Sequence, residues 1–222
     1  MGIIPRHRPT EMACFANPKE ITVNVLSRWQ LSLRRKSKDF LFDGDDRVFK
    51  SILPSINCYA EYGVGKSSLW VLENSKASVL AVDTSEFWID KVKSSAGVNA
   101  NRFEIEWVDL GPVGWAGRPL SYAHRGAFQR YIQSPWTREQ KPQAILVDGR
   151  FRVACFLYSL AMADPGTIIF FDDYRERSQY HLVEEYLVPR EYCGRQAIFE
   201  VPDGIDRSAV HLEAERFQYV MD

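Results

Sequence analysis

Ala60-Glu61-Tyr62-Gly63-Val64-Gly65-Lys66-Ser67 is the stretch of this sequence whose residue types and spacing point most directly to chemistry. With alanine in the place of a first glycine it fits a phosphate loop, in which backbone amides cradle phosphates and Lys66 reaches the terminal one. Taken as Glu61-x-Gly63-x-Gly65, it fits a loop whose small residues let the backbone approach a nucleoside cofactor. A dinucleotide fingerprint would want a third glycine at position 68, where the chain has serine, and a purely structural glycine turn is the remaining alternative. Asp83, 20 residues after Gly63 at the end of the next predicted strand, weighs for an adenosine-containing ligand, because a carboxylate there accepts hydrogen bonds from a ribose diol. Asp109 adds an acidic end to the third predicted strand.

Asp148 closes the fourth predicted strand, and Asp172 with Asp173 closes the fifth. In a doubly wound sheet these groups project from the same carboxyl edge as the glycine loop, which is the ligand-binding edge. Three carboxylates without histidine or cysteine suit a hard divalent cation such as Mg2+, which would acidify a bound alcohol. The plainer alternative is that Asp173 caps the next helix and Asp148 pairs Arg150 or Arg152. An arginine fork also recognises carboxylate or phosphate, so either arginine is a candidate for holding an acidic substrate or for neutralising the acids. The candidate catalytic residues are thus Asp148, Arg150 and Asp173, the candidate metal ligands Asp148, Asp172 and Asp173, and the candidate cofactor contacts Glu61, Gly63, Gly65, Asp83 and Asp109. The segment 111–122, with Trp115 and two prolines, is long for a strand-to-helix connection and reads as a substrate lid. Tyr174 and His181 are further candidates for a wall or a base.

What must position these groups is an alternation of strands and helices. Five runs rich in strand formers, 56–61, 78–83, 103–109, 144–148 and 167–172, alternate with helix-length segments at 66–74, 85–94, 123–133 and 152–162. The runs are continuously apolar, as in parallel strands covered on both faces. That predicts an α/β fold with a doubly wound, mostly parallel seven-stranded sheet and helices on both faces. Segments 197–201 and 217–221 are predicted as the last two strands, after a helix at 179–187. Residues 1–44 read as a proline-punctuated arm and an amphipathic helix at 21–38 that packs on the main domain, 45–222; the basic run in that helix reads as a solvated face.

The 222 residues are 45% apolar and 26% charged, as in a folded globular domain. With 28 basic against 29 acidic residues, the positive surplus that drives nucleic-acid binding is missing, and a small-molecule substrate is expected instead. The longest strongly apolar run, 153–163, is eleven residues, against the roughly 20 that span a bilayer. Met1 to Pro9 leads into no secretory apolar segment, so no membrane partner and a cytoplasmic location are expected. Cys14, Cys58, Cys155 and Cys193 are far apart and form no zinc spacing with any histidine.

Together these residues give the sequence a likeness: it resembles a small bacterial family of class I methyltransferase-like proteins of unassigned substrate. The likeness runs over residues 45–202 and is carried by Glu61-Tyr62-Gly63-x-Gly65, Trp107-x-Asp109-x-Gly111-Pro112-x-Gly114-Trp115, Val147-Asp148-Gly149-Arg150-Phe151-Arg152-Val153 and Phe171-Asp172-Asp173-Tyr174. The resemblance implies a Rossmann-like fold and S-adenosylmethionine as cofactor, with Asp109 on the adenine side, and it makes Lys66 incidental. The acid set also resembles that of catechol-type and macrolide-sugar O-methyltransferases, where a carboxylate after the fourth strand and an acidic pair after the fifth hold a metal. On that resemblance the expected reaction is O-methylation of a small polar or acidic metabolite, assisted by Mg2+. The alternatives are a non-catalytic module that binds the adenosine cofactor on the same fold, since no general base stands out, and a phosphate-loop nucleotide-binding protein.

Overall fold

The computed structural model describes residues 40–222; the predicted arm and the helix at 21–38 lie outside the described residues. The seven strands are β1 (Cys58–Tyr62), β2 (Ser78–Asp83), β3 (Phe103–Trp107), β4 (Ala144–Val147), β5 (Ile168–Phe171), β6 (Glu191–Cys193) and β7 (Gln196–Glu200), in the spatial order β3-β2-β1-β4-β5-β7-β6. β1 to β5 are parallel, and β7 runs antiparallel to both β5 and β6. Ala-Ile-Leu-Val in β4 and Ile-Ile-Phe-Phe in β5 are buried at every position, because helices cover both faces of a parallel sheet.

Alternate residues of the central strands feed two cores. One face packs Ala60, Tyr62, Ile145, Val147 and Phe171 against α4 (Phe128–Gln133), α5 (Arg152–Met162) and α6 (Arg207–Phe217). The other packs Tyr59, Val79, Leu146 and Phe170 against α1 (Arg47–Ile52), α2 (Lys66–Asn74) and α3 (Glu86–Ala96). This is the expected doubly wound arrangement. In register, Tyr62 lies between Val82 and Val147, and Val147 beside Phe171. The turns after β1, β2, β4 and β5 therefore start at one level, on the carboxyl edge.

The C-terminal part differs from the sequence expectation. The segment 217–221 is not a strand: helix α6 runs through Phe217, its first turn capped by the Asp206 side chain, which accepts from the Ala209 N–H at 3.0 Å. The seventh strand is instead the three-residue β6, joined to β7 through Gly194 and Arg195. Three residues are too few to show a strand pattern, whereas the aromatic and β-branched residues at 217–221 mimic one. The helix expected at 179–187 is a 3-10 helix, Ser178–Glu185. No helix among the described residues is long and apolar enough to cross a membrane.

Candidate functional site

The odd positions of β1 fix what the glycine loop can do. Glu61 shares its face with Tyr59, so its fully buried carboxylate lies under the first turn of α2. There it accepts hydrogen bonds from Tyr59 Oη (3.0 Å), Ser67 Oγ (2.9 Å) and Ser68 Oγ. Burial pushes its pKa up to about 7, and the three hydroxyls hold it from going higher. Glu61, expected as a cofactor contact, thus braces the loop from beneath. Ser67 is turned inward by the same bond, so the hydroxyl a phosphate loop offers to Mg2+ is already committed to the core. Lys66 is exposed.

Asp83 secures the other side of the loop, accepting from the Val64 N–H (2.8 Å) and the Ser85 N–H (2.7 Å); burial raises its pKa against these bonds. Gly63 has φ +87°, and a Cβ on it would lie 3.2 Å from Gly149 Cα. A Cβ on Gly149 would come within 2.1 Å of Tyr131 Oη and 2.9 Å of Tyr62 carbonyl carbon. These two glycines therefore let the ends of β1 and β4 close on each other. Gly65 is different: a Cβ there would meet nothing within 4 Å, leaving backbone open to a ligand. Asp109 is half-exposed, accepts from the Gly111 N–H at 2.8 Å and faces His124 Nδ1 at 3.4 Å. It anchors the expected lid, whose Trp115 stands 85% exposed.

Asp148, Asp172 and Asp173 come together as expected, one oxygen of each lying within 4.8 Å of the others. Guanidinium groups already occupy them. Arg195 forks onto both oxygens of the fully buried Asp172, through Nε at 3.0 Å and through Nη2; its Nη1 reaches Asp173 Oδ1 and Asp43 Oδ2, each at 3.0 Å. Arg152, 4% exposed, donates to Asp148 Oδ1 at 3.1 Å and to Asp173 Oδ2 at 3.3 Å, while Arg177 reaches Asp173 Oδ2 at 2.6 Å. Burial and the neighbouring Asp172 push the Asp148 pKa up to about 8.

No protein-family model matches the chain, and no curated protein matches it. Among solved structures, a methyltransferase-like protein from Silicibacter pomeroyi superposes with a TM-score of 0.68 at 30% sequence identity, over 78% of this chain and 92% of that one. The chain belongs to that methyltransferase-like family. An O-methyltransferase from Bacillus cereus, in complex with S-adenosylhomocysteine (SAH), superposes with a TM-score of 0.49 at 14% identity, over 84% of this chain and 92% of that one.

In this methyltransferase-like chain a divalent cation does not fit the acid set. A metal would need carboxylate oxygens that Arg195, Arg152 and Arg177 hold, and it would have to break the Arg195 fork on the fully buried Asp172. The pairing of all three acids with arginine weighs against the Mg2+ expectation. The expected capping role of Asp173 is corrected, since the following 3-10 helix has Arg177 at its cap position and no side-chain cap bond. Arg150 does not join the acids. Its backbone N–H donates to Tyr131 Oη at 3.1 Å and its Nη1 to the Asp222 carbonyl at 2.6 Å. Tyr174 is fully buried, with its hydroxyl on Glu184 at 2.9 Å and its ring stacked on His181 at 4.9 Å; both residues are structural. Sequence reading missed Arg195, Arg177 and Tyr131. Recognising the β6–β7 turn, which lies on the carboxyl edge, is the one signal that would have found Arg195.

Proposed function

We propose that the chain transfers a methyl group from S-adenosylmethionine to an oxygen of a small polar or acidic metabolite, without a metal. The single observation that carries this reading is the glycine loop: backbone open at Gly65, braced below by Glu61 and tied at its side to the strand-end carboxylate Asp83. Asp83 spends one bond on each oxygen, so lone pairs remain for a ribose diol. Asp109, beside the lid, is the candidate on the adenine side. The bound cofactor supplies an electrophilic sulfonium methyl. Asp148 is the candidate base: Arg152 holds its Oδ1, and Oδ2 can accept the proton of an acceptor hydroxyl. Because its pKa is about 8, Asp148 is available as a base only as pH rises through that value.

The test is binding of S-adenosylmethionine and SAH by thermal shift. At about 100 times its dissociation constant, a ligand adds roughly 2.7 kcal/mol, or about 5 to 11 °C in a chain of this size. Asp83→Ala should lose most of that shift. No shift at millimolar cofactor would overturn the reading, whereas binding without methyl transfer to any metabolite pool would leave a non-catalytic adenosine-binding module.

A further inference from the structure

Beside the acid set, a cleft of about 870 Å³ opens between the loop that follows β5 and the β6–β7 turn. That volume lies in the range of small-ligand sites. Three guanidinium groups, Arg175, Arg177 and Arg195, line it together with Asp43, Asp173 and Glu176. Two of the three are spoken for. Arg195 has all three of its nitrogens on Asp172, Asp173 and Asp43. Arg177 divides its terminal nitrogens between Asp173, at 2.6 Å, and Tyr180 Oη, at 3.3 Å.

Arg175 stands apart from this accounting. Among the described residues no carboxylate pairs with it. Its backbone is fixed, since its N–H donates to the Arg195 carbonyl at 3.1 Å, and its guanidinium lies 6.0 Å from the centre of the half-exposed Tyr192 ring. Arg175 thus brings a guanidinium without a carboxylate partner to a cleft whose other two arginines are bound to carboxylates. Asp173 lines the cleft and, through Arg152, joins it to Asp148. One carboxylate oxygen of Asp173 lies within 4.8 Å of one of Asp148, so the cleft abuts the acid set.

We propose that Arg175 is the residue that recognises the methyl acceptor, by holding an anionic group of that acceptor, a carboxylate or a phosphate, in this cleft. The assignment rests on the methyltransferase reading for the identity of the ligand as acceptor. Glu176, exposed on the same cleft, opposes the anion and limits how strongly it is held.

The experiment is calorimetric titration of the full chain, with and without SAH, using malonate as the carboxylate probe and inorganic phosphate as the other. At least one probe should bind, and the preference between them identifies the anion. Arg175→Ala should weaken binding about tenfold or more, equivalent to about 1.4 kcal/mol. Arg175→Lys should recover only part of it, because the charge returns without the fork. Glu176→Gln should tighten binding a few-fold by removing a nearby like charge. Arg175 is exposed and braces no acid, so its removal leaves the fold and SAH binding intact. If neither probe binds, or if Arg175→Ala binds as well as the parent, the inference falls while SAH binding still supports the function. If the anion binds through Arg175 but SAH does not bind, the proposed function falls, and the acceptor role with it.

Discussion

Replacing Glu61 with glutamine tests how the loop is held. The carboxylate is fully buried under α2, and burial raises its pKa from 4.5 to about 7 against the pull of three donated hydroxyl hydrogen bonds. The unfolded chain gives up this proton near pH 4.5, whereas the folded chain keeps it to about pH 7. Between those values the folded state binds more protons, so the stability this group confers is complete below pH 4.5 and is lost as pH rises through 7. At about 1.36 kcal/mol per pH unit, the window is worth roughly 3 kcal/mol. Glu61→Gln has nearly the same shape and cannot ionise, so this contribution vanishes. Urea denaturation at pH 5 and pH 8 should show the parent losing roughly 3 kcal/mol more than the variant across that interval. In thermal scans this is about 6 to 12 °C. Asp148 titrates in both proteins and cancels in the difference, while Asp83, whose charge helps raise Glu61, adds a smaller coupled change. Parallel pH profiles would refute the reasoning, because they would mean that the hydroxyl cradle stabilises the ionised carboxylate as well as water does.

Arg195→Ala should destabilise the fold by about 3 to 5 kcal/mol in urea, since it strips the fork from the fully buried Asp172 and leaves that charge unpaired. Chelators should leave the melting temperature and any methyl transfer unchanged, and a metal requirement for turnover would reinstate the cation site. The rate of methyl transfer should rise with pH through about 8, where Asp148 loses its proton, and Asp148→Asn should abolish that rise. Gly149→Ala should unfold or severely destabilise the chain, because its Cβ would stand 2.1 Å from Tyr131 Oη. Adding Tyr131→Phe should restore part of the loss by removing that oxygen, though not the contact with Tyr62. Lys66→Ala should bind SAH as the parent does, the lysine being exposed.

The parts of this protein legible in its sequence are those whose signal is local. Helices α2 and α5 and strand β2 fall on their predicted bounds, 66–74, 152–162 and 78–83, because each is bracketed by turns, and α5 and β2 also carry continuous apolar runs. The carboxyl-edge grouping of Asp148, Asp172 and Asp173 was legible for the same reason, since each ends a strand and parallel strands end together. Illegible was everything that depends on which face or which turn meets another. That Glu61 braces the loop from below follows from its sharing a face with Tyr59, and the choice between the two faces is made only when α2 docks. Arg195 lies 23 residues beyond Asp172 in sequence, in a turn between strands of three and five residues that no periodicity reveals.

That missing turn changes the chemistry assigned to the whole acid set. Three carboxylates at one edge repel, and a cation must offset them; without the β6–β7 hairpin the choice is between a metal and the nearby arginines, and Asp172 has no visible partner. Once the hairpin delivers Arg195, Asp172 is neutralised by a bidentate fork, Asp173 is shared among three guanidinium groups, and Asp148 is left with one arginine and a raised pKa. Burial and the neighbouring Asp172 raise the Asp148 pKa, while Arg152 opposes them. On the proposed function Asp148 is the candidate base, and the same hairpin that neutralises its neighbours forms one wall of the cleft lined by Arg175.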